Sequence, residues 1–436
     1  MTTAGASAYR RTLAIAGIFT LMSGDTWRYM LTWWGWGAIV LILTVLGIIE
    51  LVRSRIDLRR LPILLLATLA LMTLSIAWSN YRFESVIGVV ATVVTTTFAV
   101  FLATCFTWDQ LVDALVFTTR FILGVSLLFE LYVSVFVGYP TLPFFVNYHS
   151  LPIIPAAFYW SQELLFEGGR IQGIQGNANL LAITALVALI VGFTRSVAGR
   201  GNRLGLVFWS IVAVAVLLLT RSSTVLIATV AVGVVTLVAW FARRGSGRRR
   251  TITLVAFVPF LAAVVTAAVA FREPLLGLLG KSDDLSHRLE IWTSVANLAA
   301  EHPVAGWGWV SYWAPWVEPF RHLAVFNGVT YLQAHNAWLD IFLQLGIIGL
   351  VVMGLYVLTT IMRSWSYALD GPGGNALLPL ALITALLVQS LAESRLLIEI
   401  GWALLVIISI RTASNRWARG DSGGARIAPP VATRAT

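Results

Sequence analysis

Apolar runs of about 20 residues recur along most of this chain, the length at which a helix matches the hydrocarbon thickness of a bilayer. Residues 61–78, LPILLLATLALMTLSIAW, and 222–242, SSTVLIATVAVGVVTLVAWFA, are examples. A backbone in that layer must satisfy its own N–H and C=O groups, which leaves helices or a closed barrel. The runs are continuous rather than alternating, so they read as helices. With 58% hydrophobic and 11% charged residues in 436, and a mean hydropathy of +0.84, no soluble core absorbs this much apolar surface. The expected fold is an all-α, polytopic membrane helical bundle.

Twelve spans are predicted, at about 12–24, 32–52, 61–79, 85–106, 111–138, 177–194, 204–220, 223–242, 251–271, 336–362, 376–391 and 397–411. The N-terminal MTTAGASAYRR and the LAIAGIFTLM after it look like the start of a signal peptide. No small-residue cleavage site follows, so this is read as an uncleaved first span. An even count puts both termini on one side. If that side is cytoplasmic, twenty of the thirty basic residues fall in inner segments, as the positive-inside rule requires. The net charge of +10 then reflects topology rather than nucleic-acid binding. Residues 1–411 are read as the transmembrane domain. Residues 412–436, rich in Gly, Ala, Pro and Arg, are read as a disordered cytoplasmic tail. Cys105 is the only cysteine, which excludes an internal disulfide and a thiolate metal site.

Two outer loops, about 139–176 and 272–335, exceed mere connections and are expected to carry function. In the second, Leu289, Trp292, Val295, Ala296 and Ala299 recur at helical spacing, which predicts a helix lying on the membrane surface. Trp307, Trp309, Trp313 and Trp316 follow and are read as an interfacial aromatic belt.

The chemistry is expected at the outer boundary. Arg82, Arg170, Arg221, Arg288 and Arg395 lie there although basic residues are disfavoured on that side. A guanidinium grips a phosphate bidentately, and several together would hold a pyrophosphate. The plainer alternative pairs each with a local acid: Arg82 with Glu84, Arg170 with Glu167, Arg288 with Glu290 or Asp284, Arg395 with Glu393. His335 sits where a polar loop enters the tenth span, and its side chain titrates in the range that suits a general base. Asn336 adjoins it and Asp340 is about one turn on, while Gly346 and Gly349 would let a neighbouring helix pack closely. There is no Asp-x-Asp and no His/Asp cluster at ligand spacing outside the membrane, so no metal and no cofactor is expected.

His335-Asn336, nine residues, then Gly346-x-x-Gly349 resembles a motif of the O-antigen ligase and O-antigen/exopolysaccharide polymerase superfamily of bacterial membrane glycosyltransferases. RIQGIQGNAN at 170–179 resembles that family's Arg-x-x-Gly-x-x-x-Asn-Pro-Asn segment through Arg170, Gly173, Asn177 and Asn179, with Ala178 in place of proline. Ser286-His287-Arg288 with Trp292 resembles its arginine-bearing surface helix, and Glu393-Ser394 resembles the exopolysaccharide-polymerase branch. In place of Thr-x-Ser-Arg the chain has Thr220-Arg221-Ser222-Ser223-Thr224, which moves the arginine by two residues. On a continuous helix that turns the side chain by about 200°.

The resemblance implies a GT-C-like, metal-independent, inverting glycosyltransferase of the cytoplasmic membrane. Its donor would be a glycan on polyprenyl pyrophosphate, undecaprenyl or decaprenyl, and its acceptor a lipid or glycan hydroxyl at the outer face. Arg170, Arg288 and Arg221 would hold the pyrophosphate, His335 would be the base, and Asn336, Asn177, Arg82, Gly346 and Gly349 would support them. The alternatives are a flippase for lipid-linked glycans, with Arg120 and Glu130 as intramembrane charges, and a cell-shape-type peptidoglycan polymerase using Asp283 or Asp284.

Overall fold

The computed structural model describes residues 3–54, 61–146, 148, 153–253, 255–257, 259, 266, 282–326 and 328–413. Among them run twelve α-helices: α1 Thr3–Met22, α2 Gly24–Arg53, α3 Ile63–Leu74, α4 Arg82–Cys105, α5 Trp108–Tyr132, α6 Ala178–Val197, α7 Arg203–Leu219, α8 Ser223–Arg244, α9 Ser282–Ala299, α10 Ala337–Asp370, α11 Leu378–Ser390 and α12 Glu399–Ala413. A two-residue hairpin, Val325–Phe326 with Val329–Thr330, is the only sheet among the described residues. The protein is a polytopic helical membrane protein. Among the described residues, six helical stretches, α2, α4, Trp108–Val137, α6, α8 and α10, are long and apolar enough to cross a bilayer unaided. The predicted ninth span lies largely outside the described residues, as do residues 414–436 of the predicted tail.

The bundle has two distinct ends. At one, arginines pair with acids within and between the helices. Arg10 and Arg53 both bind Glu50, at 2.6 and 3.0 Å. Arg195 binds Asp113 at 2.9 Å, Arg250 binds Asp370 at 2.8 Å, and Arg200 pairs with Asp109. At the other end gather the segments assigned to the outer side. Tyr81 Oη donates to Gly308 O at 2.9 Å, Ile171 N to Leu219 O at 3.3 Å, and Asn336 Nδ2 to Leu391 O at 3.3 Å.

At that second end the large loop folds into the bundle rather than lying over it. Trp309 and Trp313 are fully buried, so they are core residues and not an aromatic belt. Trp309 Nε1 donates to Thr92 Oγ1 of α4 at 3.0 Å, and its own N–H donates to Ser75 Oγ at 2.9 Å. Only Trp316 remains largely exposed, with Nε1 on Glu84 Oε1 at 3.0 Å. The α9 helix forms as expected, but its buried face is Ile291, Val295 and Ala299, joined to Trp313, Phe320 and Leu343 in a second apolar cluster. Leu289 and Ala296, assigned to the apolar face from spacing, are exposed. The helix buries its stripe against protein.

The most consequential irregularity is inside α10. Gly346 has φ 61° and ψ −160°, which breaks the helix one-third of the way along. A break frees backbone groups that lipid cannot satisfy, and the loop supplies partners. Trp307 N donates to Leu343 O and Gly308 N to Gln344 O, both at 2.9 Å, while Ile347 N donates to Pro303 O at 2.9 Å. A Cβ on Gly346 would stand 2.3 Å from Val304 O, so a side chain there is excluded by space as well as by φ. A Cβ on Gly349 would meet Leu345 and Ile341 of its own helix. The expectation that these glycines admit a neighbouring helix is therefore corrected: Gly346 admits the loop backbone, and Gly349 accommodates the bend.

Candidate functional site

His335 ends the loop and Asn336 starts α10. Asn336 is the N-cap, its Oδ1 accepting from Trp338 N at 3.0 Å and Leu339 N at 3.2 Å. Its capping geometry, φ −159°, follows a left-handed His335 at φ 51°. Such a backbone is uncommon for a residue with a side chain, and here its neighbours fix it. Ala334 N donates to Asp340 Oδ2 at 3.0 Å and Ala334 O accepts from Trp292 Nε1 at 3.0 Å, so the peptide before the histidine is held on both sides. Asp340 also takes the Ser394 hydroxyl, which ties the turn after α11 to the start of α10.

That tie places Glu393 against His335. Glu393 is 4% exposed and gathers four side chains. Its Oε2 lies 2.9 Å from His335 Nδ1 and 3.5 Å from Gln333 Nε2. Its Oε1 accepts from Asn179 Nδ2 at 2.7 Å and Arg288 Nη2 at 3.1 Å. Burial alone would raise its pKa. The His335 ring beside it, through charge and hydrogen bond, together with Arg288 and Arg395, holds the carboxyl down at about 2. In the tautomer that carries its proton on Nδ1, the ring donates to Glu393 and leaves Nε2 as the free nitrogen.

Asn179 extends the network. Its Oδ1 accepts from Arg170 Nη2 at 3.2 Å and Ser222 Oγ at 2.8 Å. Asn177, two residues earlier, is the N-cap of α6, accepting from Asn179 N at 2.9 Å and Leu180 N at 3.2 Å. The RIQGIQGNAN segment itself hangs on a buried carboxylate: Glu130 takes Gln172 N at 2.9 Å, Gly173 N at 2.7 Å and Ser161 Oγ at 2.7 Å. Glu130 is thus a fully engaged anchor of that segment.

The structure accordingly brings His335, Arg288 and Arg170 around the buried Glu393 and its half-buried partner Asn179. Arg221 is exposed in an irregular turn between α7 and α8, with φ 48°. Continuous helical geometry therefore does not govern where its side chain points. Its neighbour Ser222 joins Asn179, while its own guanidinium stands near Gly168. Arg82 is set apart, donating to Ala77 O at 3.3 Å. Arg395 turns away from Glu393 to Glu399 Oε2 at 2.6 Å and Tyr312 Oη at 2.9 Å. Other partners than those weighed from sequence are found: Arg288 pairs with Glu393, Arg170 donates to Asn179, and Glu84 serves Trp316. The side chains of Asp283 and Asp284 lie outside what is described. Among the described residues no three His, Cys, Asp or Glu side chains gather as a metal-holding group.

Beyond the Arg395 side of the turn, an apolar groove of about 320 Å³ runs between α1, α2, α4 and α12. Val40, Val90 and Phe98 line its length, while Ser311, Tyr312 and Glu399 stand at its polar end.

Glu393 and Asn179 are the residues that sequence reasoning left out of the site. Both were visible only as fragments of motifs, and nothing in their spacing announces a contact across 214 residues.

A helical membrane protein with a buried carboxylate, a histidine and two arginines joined at one end of its bundle has the makings of an enzyme for a polar-headed lipid. Residues 206–354, about a third of the chain, match the family model described as O-antigen ligase, which supports the resemblance to the O-antigen ligase superfamily. The matched stretch contains Arg221, Arg288, His335, Gly346 and Gly349 but neither Arg170 nor Glu393. Comparison with curated proteins gives no match.

Proposed function

We propose that the protein is a metal-independent, inverting glycosyltransferase of GT-C-like, twelve-span architecture. It moves a glycan from a polyprenyl-pyrophosphate carrier to an acceptor hydroxyl at the outer face of the cytoplasmic membrane, with both termini cytoplasmic. The observation that carries this reading is the 2.9 Å contact of His335 Nδ1 with a Glu393 that also binds Arg288. It aims Nε2 of a neutral imidazole away from the carboxylate and keeps a guanidinium within reach of the same space.

In the reaction, His335 Nε2 takes the proton from the acceptor O–H as that oxygen attacks the anomeric carbon. The bond from that carbon to the carrier's phosphate oxygen breaks, and its electron pair leaves with the pyrophosphate. Arg288 and Arg170 stabilise the negative charge that grows on the leaving group, with Arg221 at the rim. Asn336 and Asn177 support the site by capping the helices that present these residues. Arg82, which donates to Ala77 O, has no role in this scheme. The groove beside Tyr312 and Glu399 offers an apolar bed for a hydrocarbon chain.

Purified protein given a lipid-linked repeat and an acceptor should form a new glycosidic bond. Passage of the glycan across liposomes without bond formation would instead identify a flippase. Incubation with the lipid-linked repeat alone separates the two enzymatic classes. A ladder of products identifies a polymerase, and reaction only after a second acceptor is added identifies a ligase.

A further inference from the structure

Glu393 is placed to do more than orient a ring, because the arginine it holds is one the donor needs. Arg288 donates Nη1 to Ala392 O at 2.9 Å and Nη2 to Glu393 Oε1 at 3.1 Å, with its side chain 20% exposed. A guanidinium has five N–H donors, so an incoming phosphate can engage the remaining ones before the Glu393 bond is given up. Resting on the reading of Arg288 as a pyrophosphate ligand, we propose that Glu393 is a built-in counter-anion. It occupies Arg288 while the donor site is empty, and its charge passes to His335 when the donor arrives.

The charges around Glu393 make this exchange directional. Arg288 faces it from α9 and His335 from the loop before α10; Arg395, bonded to Glu399, acts on it through charge alone, and Arg170 one step away through Asn179. Asp340, another buried carboxylate at this end, is already engaged by Ala334 N–H and Ser394. If pyrophosphate draws off Arg288, Glu393 keeps Asn179 and His335 as partners. Losing a cation near the carboxylate and gaining anions nearby both favour a proton on the imidazole, which strengthens it as a base. The base is then strongest when there is a donor to use. Glu393 is a positioning residue in this scheme, since it touches neither reacting atom.

The scheme gives a signature that ordinary structural damage does not. Replacing Glu393 by Gln removes the competitor for Arg288 and also the anion that holds the ring. In the purified full-length protein, E393Q should bind inorganic pyrophosphate about tenfold more tightly by calorimetry, within the range of usual coupling between sites. Donor KM should fall with it, while kcat falls about a hundredfold or more. E393D keeps the charge one methylene further back and should return both quantities part of the way towards wild type. H335A should lose kcat with its pyrophosphate affinity within about twofold of wild type. A merely structural Glu393 would weaken binding and turnover together. The proposal is overturned if both Glu393 variants bind pyrophosphate no better than wild type, or if E393Q keeps its kcat. If wild type binds no pyrophosphate, the arginine clamp falls and the counter-anion with it. Tight binding with an unchanged kcat would leave the clamp standing and sink only this coupling.

Discussion

In the proposed mechanism, substituting His335 by Ala removes the base that takes the acceptor proton, and general-base catalysis contributes on the order of 10²–10⁴-fold. Transfer should fall by at least that factor in an assay of glycan-bond formation, with the thermal unfolding midpoint little changed. Arg288→Ala acts on donor use: losing a charge-assisted hydrogen bond of about 1.5–3 kcal/mol should raise donor KM roughly tenfold to a hundredfold. Glu393 also sets a pH dependence of stability. Its folded-state carboxyl sits at about 2, against 4.5 for the ordinary side chain. A depressed pKa means the contribution is complete above pH 4.5 and is lost as the pH falls towards 2; it is worth roughly 3 kcal/mol. Unfolding midpoints in detergent should drop across that window in wild type and much less in E393Q. The histidine and the arginines were legible in the sequence because a base at a membrane boundary and cations on the disfavoured side are each anomalous where they stand. Glu393 was not, since one acid in a short turn is ordinary until the fold sets it beside His335.

At the scale of elements, apolar run length located the helices well, because bilayer thickness imposes it residue by residue. What it did not reveal is what a break in a helix is for. Gly346-x-x-Gly349 reads as a packing motif on a straight helix, yet Gly346 is where α10 opens to accept the backbone of residues 303–308. The loop is thus a part of the bundle's hydrogen bonding, and the start of α10, with Asn336 as its cap, is positioned through it. Gly346→Ala should be costly for two reasons: the left-handed backbone, and a Cβ 2.3 Å from Val304 O. A destabilisation of about 2–4 kcal/mol is expected, with faster hydrogen exchange and proteolysis in 303–310. Gly233 on α8, whose Cβ would meet nothing within 4 Å, makes the control substitution, and G233A should leave that loop protected. Spacing also put the face of α9 slightly wrong. Leu289 is exposed because the helix docks through Ile291, Val295 and Ala299 onto a core that Trp313 and Phe320 build, and that core comes from sequence not adjacent to it.

Across the whole molecule, the segregation of charge read from sequence has a structural counterpart. One end is laced by arginine–acid pairs such as Arg195–Asp113 and Arg250–Asp370, which tie together segments distant in sequence. The other carries the Glu393 network, where His335 and Arg288 gather on one buried carboxylate, alongside the pairs Arg28–Asp25, Arg321–Glu318 and Arg395–Glu399. Separating the two functions by end lets the first hold the bundle while the second keeps its arginines near a space a ligand can enter. The span count and the sidedness follow from that division only if the arginine-laced end faces the cytoplasm, and the chain contains a means of testing it. Cys105, the only cysteine, closes α4 at the arginine-laced end, with Sγ donating to Ser54 Oγ at 3.4 Å. Leu289, half exposed on α9, stands at the opposite end. In intact cells a membrane-impermeant maleimide should label the Leu289→Cys protein and leave wild type unlabelled, while permeabilised cells should show labelling at Cys105 as well. Labelling of wild type in intact cells, with Leu289→Cys adding nothing, would invert the topology and move the proposed site to the cytoplasmic face.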